Sequence, residues 1–246
     1  MPDQLSTWLT ALDRFELKLR GRIGRERNRL IVQVAGTYAR GTIPFFAFAD
    51  HERKVANILK AHYGKVIPHF AGQAVSQIRS KKFEQKQLDG LFAFLIEQWI
   101  TRQALAKAKL ISGTDRDDIL SAITQGIEEG LGTDQIARSI RKVSGMTPIR
   151  AATIARTETH GAATFGSIES VREAEQELGV VMLKRWLPTL DARTREDHAA
   201  MAGHKAIPLG ERFDMGGVMM DRPGDPSAPA RLVINCRCAI AYEEAE

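Results

Sequence analysis

Apolar residues recur at three- and four-residue steps from the start of the chain. Leu9, Leu12, Phe15 and Leu19 fall on one face of a helix that Ser6 can cap. Gly21 and Gly24 follow within a basic run, and each lowers helix propensity by about 1 kcal/mol relative to alanine. The run therefore reads as a flexible arm or as a helix that firms up on binding. A hydrophobic stretch over residues 30–38 leads into Gly41-Thr42-Ile43-Pro44, a predicted turn. Helical spacing returns over residues 50–63 and 86–109. Thr114, with Asp115, Asp117 and Asp118 in the first turn after it, predicts a new helix start, because acidic groups suit the positive end of the helix dipole. Ile119, Leu120, Ile123 and Ile127 form its apolar face, and Gly130 can end it in a left-handed conformation. Thr133 is expected to cap a short helix with Ile136, Ile140 and Val143, stopped at Gly145. Thr147-Pro148 then opens a helix reaching about Leu178. Ala151, Ala152, Ala155, Thr159, Ala162, Ala163 and Gly166 make much of its surface small, so another element can approach closely. Gly161 and Gly166 leave a break into two helices open.

After Gly179 the period changes. Residues 180–187 and 232–242 both fit extended strands, the second placing Leu232, Ile234, Cys236, Cys238, Ile240 and Tyr242 on one face. Gly216-Gly217 and Pro223-Gly224-Asp225-Pro226 mark a long loop between them. The fold class is α+β: a mainly helical N-terminal half, then helices packed on a small β-sheet.

Charge sharpens this division. Residues 1–110 hold 19 Lys/Arg against 9 Asp/Glu, whereas residues 111–246 hold 16 against 21. The step falls near Ser112-Gly113-Thr114 and divides the chain into a basic region, 1–112, and a second region, 113–246. Within the basic half, Lys18, Arg20, Arg22, Arg25, Arg27 and Arg29 are opposed only by Glu26, which makes them candidate DNA contacts, with an acidic protein surface, an anionic membrane or a merely solvated helix face left open by charge alone. His51, His62 and His69 are expected to add surface polarity. The apolar runs at 43–49 and 91–96 are far too short to span a bilayer. Met1-Pro2-Asp3-Gln4 lacks the basic-then-apolar pattern of a secretory signal, so synthesis in a cytoplasm is expected.

Candidate chemistry gathers in the second region. Arg156-Thr157-Glu158-Thr159-His160 places Arg156 and His160 on one helical face, where an arginine fork can tie a helix to loop carbonyls or carboxylates. Asp191 and Thr194 suit an Asx-type turn ahead of a short helix with Glu196, Asp197 and His198. Cys236 and Cys238 are separated by one residue, so a disulfide between them would be strained and reduced thiols are expected. Two readings stay open here. His198, with His204, can join the two thiols around a zinc ion; or the cysteines pack as small apolar groups while His198 hydrogen-bonds near the loop. No phosphate loop, nucleophile elbow or EF-hand spacing is present.

The order and spacing of Thr147-Pro148, Arg156-Thr157-Glu158, Trp186, Asp191-Ala192-Arg193-Thr194, His198 and Asn235-Cys236-Arg237-Cys238 resemble the phage Mu F-like minor head proteins over residues 114–243. The resemblance implies a structural, non-enzymatic role for these motif residues, in capsid morphogenesis of a tailed phage or prophage. It further implies a virion location in the head interior after synthesis in the bacterial host cytoplasm. The implied partners are the portal protein, the scaffold or major capsid protein and non-specifically bound double-stranded DNA, with no membrane and no obligate cofactor. An alternative is a metal-dependent hydrolase or an ADP-ribosyltransferase-like effector built around Arg156, Glu158 and His198. It requires those three side chains to converge in one concave site. A plain DNA-binding protein is a further alternative, but no helix-turn-helix or zinc-finger pattern supports it.

Overall fold

The computed structural model describes residues 2–78 and 91–245. The chain folds into two compact units: Met1–Glu16, Tyr63–Gln98 and Arg156–Glu246 form the first, and Leu17–His62 with Trp99–Ala155 the second. Four long helices contribute a segment to each: α1 (Pro2–Tyr38), α2 (Phe45–Val75), α3 (Leu91–Glu128) and α5 (Thr147–Leu178). The short α4 (Thr133–Lys142) lies in the second unit. No helix among the described residues is long and apolar enough to cross a membrane.

The helices run through several predicted boundaries. α1 begins before Ser6 and continues unbroken through Gly21 and Gly24, so the basic run is a helix and not a loose arm. A stripe of buried residues, Leu19, Ile23, Leu30, Ile31 and Val34, repays the propensity lost at the two glycines. The predicted turn at Gly41–Pro44 is present, with Gly41 at φ +82°. The helix expected over 50–63 is the middle of α2. The one expected over 86–109 is the front of α3, its residues 86–90 lying outside the described ones.

Thr114 caps nothing. Its hydroxyl donates to the Leu110 carbonyl one turn back, and α3 passes through Ser112-Gly113-Thr114 without a break. Thr133 is likewise the first helical residue and not the cap; Gly132 holds that position, and its N–H donates to Gln135 Oε1 at 2.9 Å. Gly130 does end α3 in a left-handed conformation, at φ +67°. In the second unit these helices enclose a core of Leu30, Ile31, Val34, Ala35, Phe48, Ile119, Ile123, Ile136 and Ile140.

Beside that core lies a buried ionic network, whose members the sequence suggested for other roles. Arg27 is 1% exposed. It donates to Asp115 at 2.8 Å, Asp118 at 2.9 Å, Thr147 Oγ1 at 2.7 Å and the Val143 carbonyl at 3.1 Å. Asp115 also accepts from Arg150 at 2.8 Å, and His51 is held between Glu26 and Asp115 at 3.1 Å to each. Thr147 therefore begins α5 directly after a 3-10 turn and serves as an acceptor for Arg27 instead of a cap. His51 and His62 are buried, contrary to the surface role expected of them, whereas His69 is exposed.

The first unit is the α+β part. α5 runs to Leu178 as expected, without a break at Gly161 or Gly166. Gly166 allows a close approach: a Cβ there would lie 2.6 Å from the Ile67 carbonyl oxygen of α2. The sheet has order β2-β1-β5, with β1 (Met182–Leu187) antiparallel to both β2 (Ile207–Pro208) and β5 (Ala239–Glu244). Residues 188–238 carry α6 (Glu196–Ala199), a small β3–β4 pair (Phe213–Asp214 with Met219–Met220) and α7 (Ala230–Val233).

The strand expected over 232–242 is thus half right. Pro229 starts the short helix α7, and Asn235 adopts φ +60°, which turns the chain before β5 begins at Ala239. Leu232 and Ile234 do not share a strand face with Ile240. Within the first unit Trp186, Met201, Phe213, Met215, Met220, Leu232, Cys236 and Cys238 form one apolar cluster. Ala74, Ile168, Val171, Met182, Ile240 and Tyr242 form another.

Candidate functional site

The motif residues converge at one end of the sheet in the first unit, around a cleft of about 280 Å³. Its walls come from three segments: Arg156 on α5, the 189–198 loop with the start of α6, and the 235–238 stretch before β5.

The 189–195 segment is a closed turn. Asp191 Oδ1 accepts the Arg193 N–H at 2.8 Å, the Asp191 N–H donates to Thr194 Oγ1 at 3.2 Å, and the Thr194 hydroxyl donates to the Thr189 carbonyl. The Arg193 amide holds the Asp191 carboxyl below its ordinary value. Thr189 Oγ1 then donates to the Arg237 carbonyl at 2.8 Å, pinning the turn to the strand-side wall. The Asx-type turn expected from Asp191 and Thr194 is what forms.

The opposite wall hangs from α5. Arg156 Nη1 donates to Asn235 Oδ1 at 3.1 Å, and Arg156 pairs with Glu16 at 3.6 Å. Burial raises the Glu16 carboxyl, against the pull of Arg156 and Arg237. The Asn235 N–H donates to Thr157 Oγ1 at 3.2 Å, so two successive α5 residues fix the left-handed turn that asparagine tolerates better than most residues. Arg195 donates to the Ile234 carbonyl, and Arg237 pairs with Asp13 at 3.1 Å. The remaining helix residues face inward. Tyr63 Oη donates to Glu158 Oε2 at 2.6 Å, burial and the nearby carboxylate raising the phenol well above its ordinary value. His160 Nε2 donates to the Cys238 carbonyl at 2.7 Å, and burial lowers the ring's pKa, which keeps it neutral.

On the cleft floor His198, Cys236 and Cys238 meet, each 2% exposed. His198 Nδ1 lies 3.3 Å from Cys238 Sγ and 3.6 Å from Cys236 Sγ, and the three ligand atoms all sit within 4.8 Å of one another. Both cysteines are free thiols, as expected. A hydrogen bond from Cys236 and then the neighbouring His198 pull Cys238 down to about 4, while Cys236 is pushed up and keeps its proton. Trp186 of β1 packs edge-on against the His198 ring at 5.6 Å. His204 is exposed and stands outside the trio, so the fourth zinc ligand expected of it is not supplied.

Arg156, Asp191, Arg193, Thr194, His198, Asn235, Cys236, Arg237 and Cys238 therefore share the cleft. Thr157 and Trp186 support it from behind. Glu158 does not line it, so Arg156, Glu158 and His198 do not converge as an enzyme built on them requires. The basic run divides differently. Lys18, Arg20, Arg22 and Arg25 are exposed on α1, but Arg27 is buried in its ionic network and Arg29 is paired with Glu26 and Asp50. Those two are withdrawn as DNA contacts, because their guanidinium groups already have carboxylate partners.

Sequence reasoning gave Lys184 no role of its own. It is fully buried on β1, donates to Asp221 Oδ1 at 2.9 Å and lies over the Phe213 ring. Its only sequence signal was an alternating strand position that a charged residue fills.

Comparison with known proteins agrees with the motif reading. The profile of the family described as phage Mu protein F like protein matches residues 117–241. The minor head protein of Bacillus phage SPP1 is 34% identical over 127 residues, covering 51% of this chain and 40% of that protein. The NAD+–arginine ADP-ribosyltransferase EFV of Enterococcus faecalis is 32% identical over 127 residues, covering 50% of this chain and 26% of the transferase. The chain thus spans less than half the length of either relative. No solved structure matches it significantly.

Proposed function

The chain belongs to the phage Mu protein F-like family, and from that premise we propose that it is a structural minor head protein of a tailed phage or prophage. It acts without catalysis, in assembly of the head at the portal and head interior, with the portal and the scaffold or major capsid protein as partners. The observation that carries this reading is the match to a minor head protein over 127 residues, beside the family match over residues 117–241. The use of the motif residues supports it: Arg156 and Thr157 tie α5 to the turn at Asn235, while Asp191 and Thr194 spend their polar groups closing their own turn.

Residues 113–246 carry the family signature, and the basic region 1–112 provides the DNA contact through Lys18, Arg20, Arg22 and Arg25. These four cations lie exposed along one stretch of helix, a pattern that pairs with phosphates irrespective of base sequence. Few aromatic residues accompany them, which favours backbone contact over base stacking.

The likeness to an arginine ADP-ribosyltransferase does not alter this reading. It covers only 26% of that enzyme and is no larger than the match to the head protein. Glu158, the carboxylate nearest the motif arginine in sequence, is buried and engaged by Tyr63.

Mass spectrometry of purified particles from an induced lysogen tests the proposal. The protein is expected in the virion at low copy number, to co-purify with the portal protein, and its deletion to reduce the yield of infectious particles. Particles that lack the protein and remain fully infectious on its deletion refute the reading. Release of ADP-ribose from NAD+ by the purified chain refutes the non-catalytic part.

A further inference from the structure

We infer that His198, Cys236 and Cys238 form a binding site for a thiophilic divalent cation of the zinc type, with three protein ligands and a fourth position open to the cleft. The inference is independent of the role in head assembly.

The geometry comes first. Zinc bonds of about 2.3 Å to thiolate and about 2.0–2.1 Å to imidazole, at tetrahedral angles, place ligand atoms about 3.5–3.8 Å apart. His198 Nδ1 stands 3.3 and 3.6 Å from the two sulfurs, and no pair in the trio exceeds 4.8 Å. Closing around an ion therefore needs movements of some tenths of an ångström to about 1 Å, within reach of side-chain rotation.

The surroundings hold the ligands in place. The cysteines flank the half-buried Arg237, and both thiols are turned to His198. The stretch is anchored at its start by Asn235, which Arg156 and Thr157 bind, and at its end by β5. His198 is fixed by the packing of Trp186 against its ring.

A histidine retained only for hydrogen bonding normally satisfies both ring nitrogens when buried. His198 does not. Among the described residues its Nδ1 faces only the two sulfurs, and its Nε2, which an ion at Nδ1 would leave unchanged, has no hydrogen-bond partner. Packing explains two small buried thiols, but it does not explain a buried imidazole aimed at both of them.

The same residues set the coordination number. No carboxylate or further histidine among the described residues joins the trio. A structural zinc site closes with four protein ligands, whereas three leave one place for an outside ligand. All three residues line the cleft, where Arg156, Arg193, Arg195 and Arg237 also stand. These four guanidinium groups outnumber the carboxylates paired with them, Glu16, Asp191 and Asp13, and so favour water-derived hydroxide or a small anion as the fourth ligand. Because the thiols must lose protons to bind, occupancy falls as pH falls.

Cobalt(II) reports on both halves of the inference. The reduced full-length chain is titrated with Co2+ and its absorption followed, then challenged with Zn2+ and separately with thiocyanate. The expected result is saturation at one equivalent, thiolate-to-cobalt charge-transfer absorption with the intense visible bands of tetrahedral cobalt, and loss of both on adding zinc. Thiocyanate is expected to shift the visible bands by entering the open position. His198→Gln, Cys236→Ser and Cys238→Ser are each expected to weaken binding at least tenfold, and His204→Gln to leave it unchanged.

Absence of charge-transfer absorption at one equivalent overturns the site. Binding that ignores thiocyanate, or that His204→Gln abolishes, overturns the open position. If the cysteine variants fail to fold, the native chain still decides the matter. Zinc is expected to protect both thiols from alkylation by iodoacetamide, and equal labelling with and without zinc refutes the inference.

Discussion

Replacing Asp115 with asparagine tests whether the ionic network organises the second unit. Asp115 is 2% exposed and accepts hydrogen bonds from Arg27 and Arg150, with His51 against its other oxygen. Removing its charge leaves the Arg27 guanidinium buried with Asp118 as its remaining carboxylate among the described residues, and Asp118 is itself 42% exposed. Loss of one member of a buried pair costs about 3–5 kcal/mol, mostly through the uncompensated partner. Arg27→Met is milder, because Asp115 retains Arg150 at 2.8 Å and His51 at 3.1 Å, and the methionine stem fills the arginine's apolar path. Its cost is about 1–3 kcal/mol, that of the acceptors left unsatisfied. Urea unfolding of the full chain followed by circular dichroism separates the two. At an m-value of about 2 kcal/mol per molar urea, Asp115→Asn lowers the midpoint by about 1.5–2.5 M, and Arg27→Met by about half that or less. Equal midpoints, or the reverse order, would show that Asp115 is not the hub of the network.

Four further outcomes follow from the same structure. Changing Lys18, Arg20, Arg22 and Arg25 to alanine is expected to weaken binding to duplex DNA and to flatten the log–log salt dependence by about 0.9 for each phosphate no longer neutralised; an unchanged slope in a filter-binding titration removes α1 as the DNA contact. Gly166→Ala is expected to lower the melting temperature despite alanine's better helix propensity, since its Cβ meets the Ile67 carbonyl oxygen at 2.6 Å and overpacking costs about 1–3 kcal/mol; a raised melting temperature refutes the close approach. Asn235→Ala is expected to destabilise by about 1–3 kcal/mol, through a non-glycine side chain at φ +60° and the lost bond from Arg156, with Asn235→Gly recovering part of the loss; equal thermal midpoints for the two variants contradict the role of the turn. Burial raises Asp115, Asp221 and Glu26, but bonds from His51 and Arg27, from Lys184 and Arg172, and from Arg29 and His51 outweigh it and leave all three lowered. Carboxyls depressed in the folded state stabilise it above their unfolded values, near 4, and lose that contribution as pH falls through their folded ones. Denaturant midpoints are thus expected to hold from pH 7 to about 5 and fall below pH 4, and a midpoint that rises on acidification contradicts the pairing.

What could be read from the sequence follows the range of the interactions involved. The Thr147-Pro148 start signature and the change of period after Gly179 located α5 and the strand β1, because such signals are written locally. Cap residues misled at Ser6, Thr114 and Thr133: a cap only offers to end a helix, and tertiary packing carried α1 and α3 past two of those offers. Arg27 was legible in principle. It stands four residues after Ile23 and three before Leu30, on the buried stripe of α1, where its basic neighbours do not fall. Its partners lie 88 to 120 residues away, so their identity was not. The closeness of Cys236 and Cys238 survived although the strand carrying it did not form, with both thiols buried against His198 and Arg237 half-buried between them. The tie between Arg156 and Asn235, across 79 residues, had no local signature at all.

The two compact units are threaded by the same four helices, and this governs how the protein can be taken apart. A cut at 112/113 falls inside α3 and separates Arg27 and His51 from Asp115. It also removes Tyr63 from Glu158, and Ile67 from Gly166. A fragment spanning the family-matched residues alone keeps the cluster around Trp186 but loses Leu30, Ile31, Val34, Ala35 and Phe48 from the core of the second unit. Such fragments behave as complementary pieces, not as modules. Residues 1–112 and 113–246, produced together, are expected to reassemble where neither folds alone.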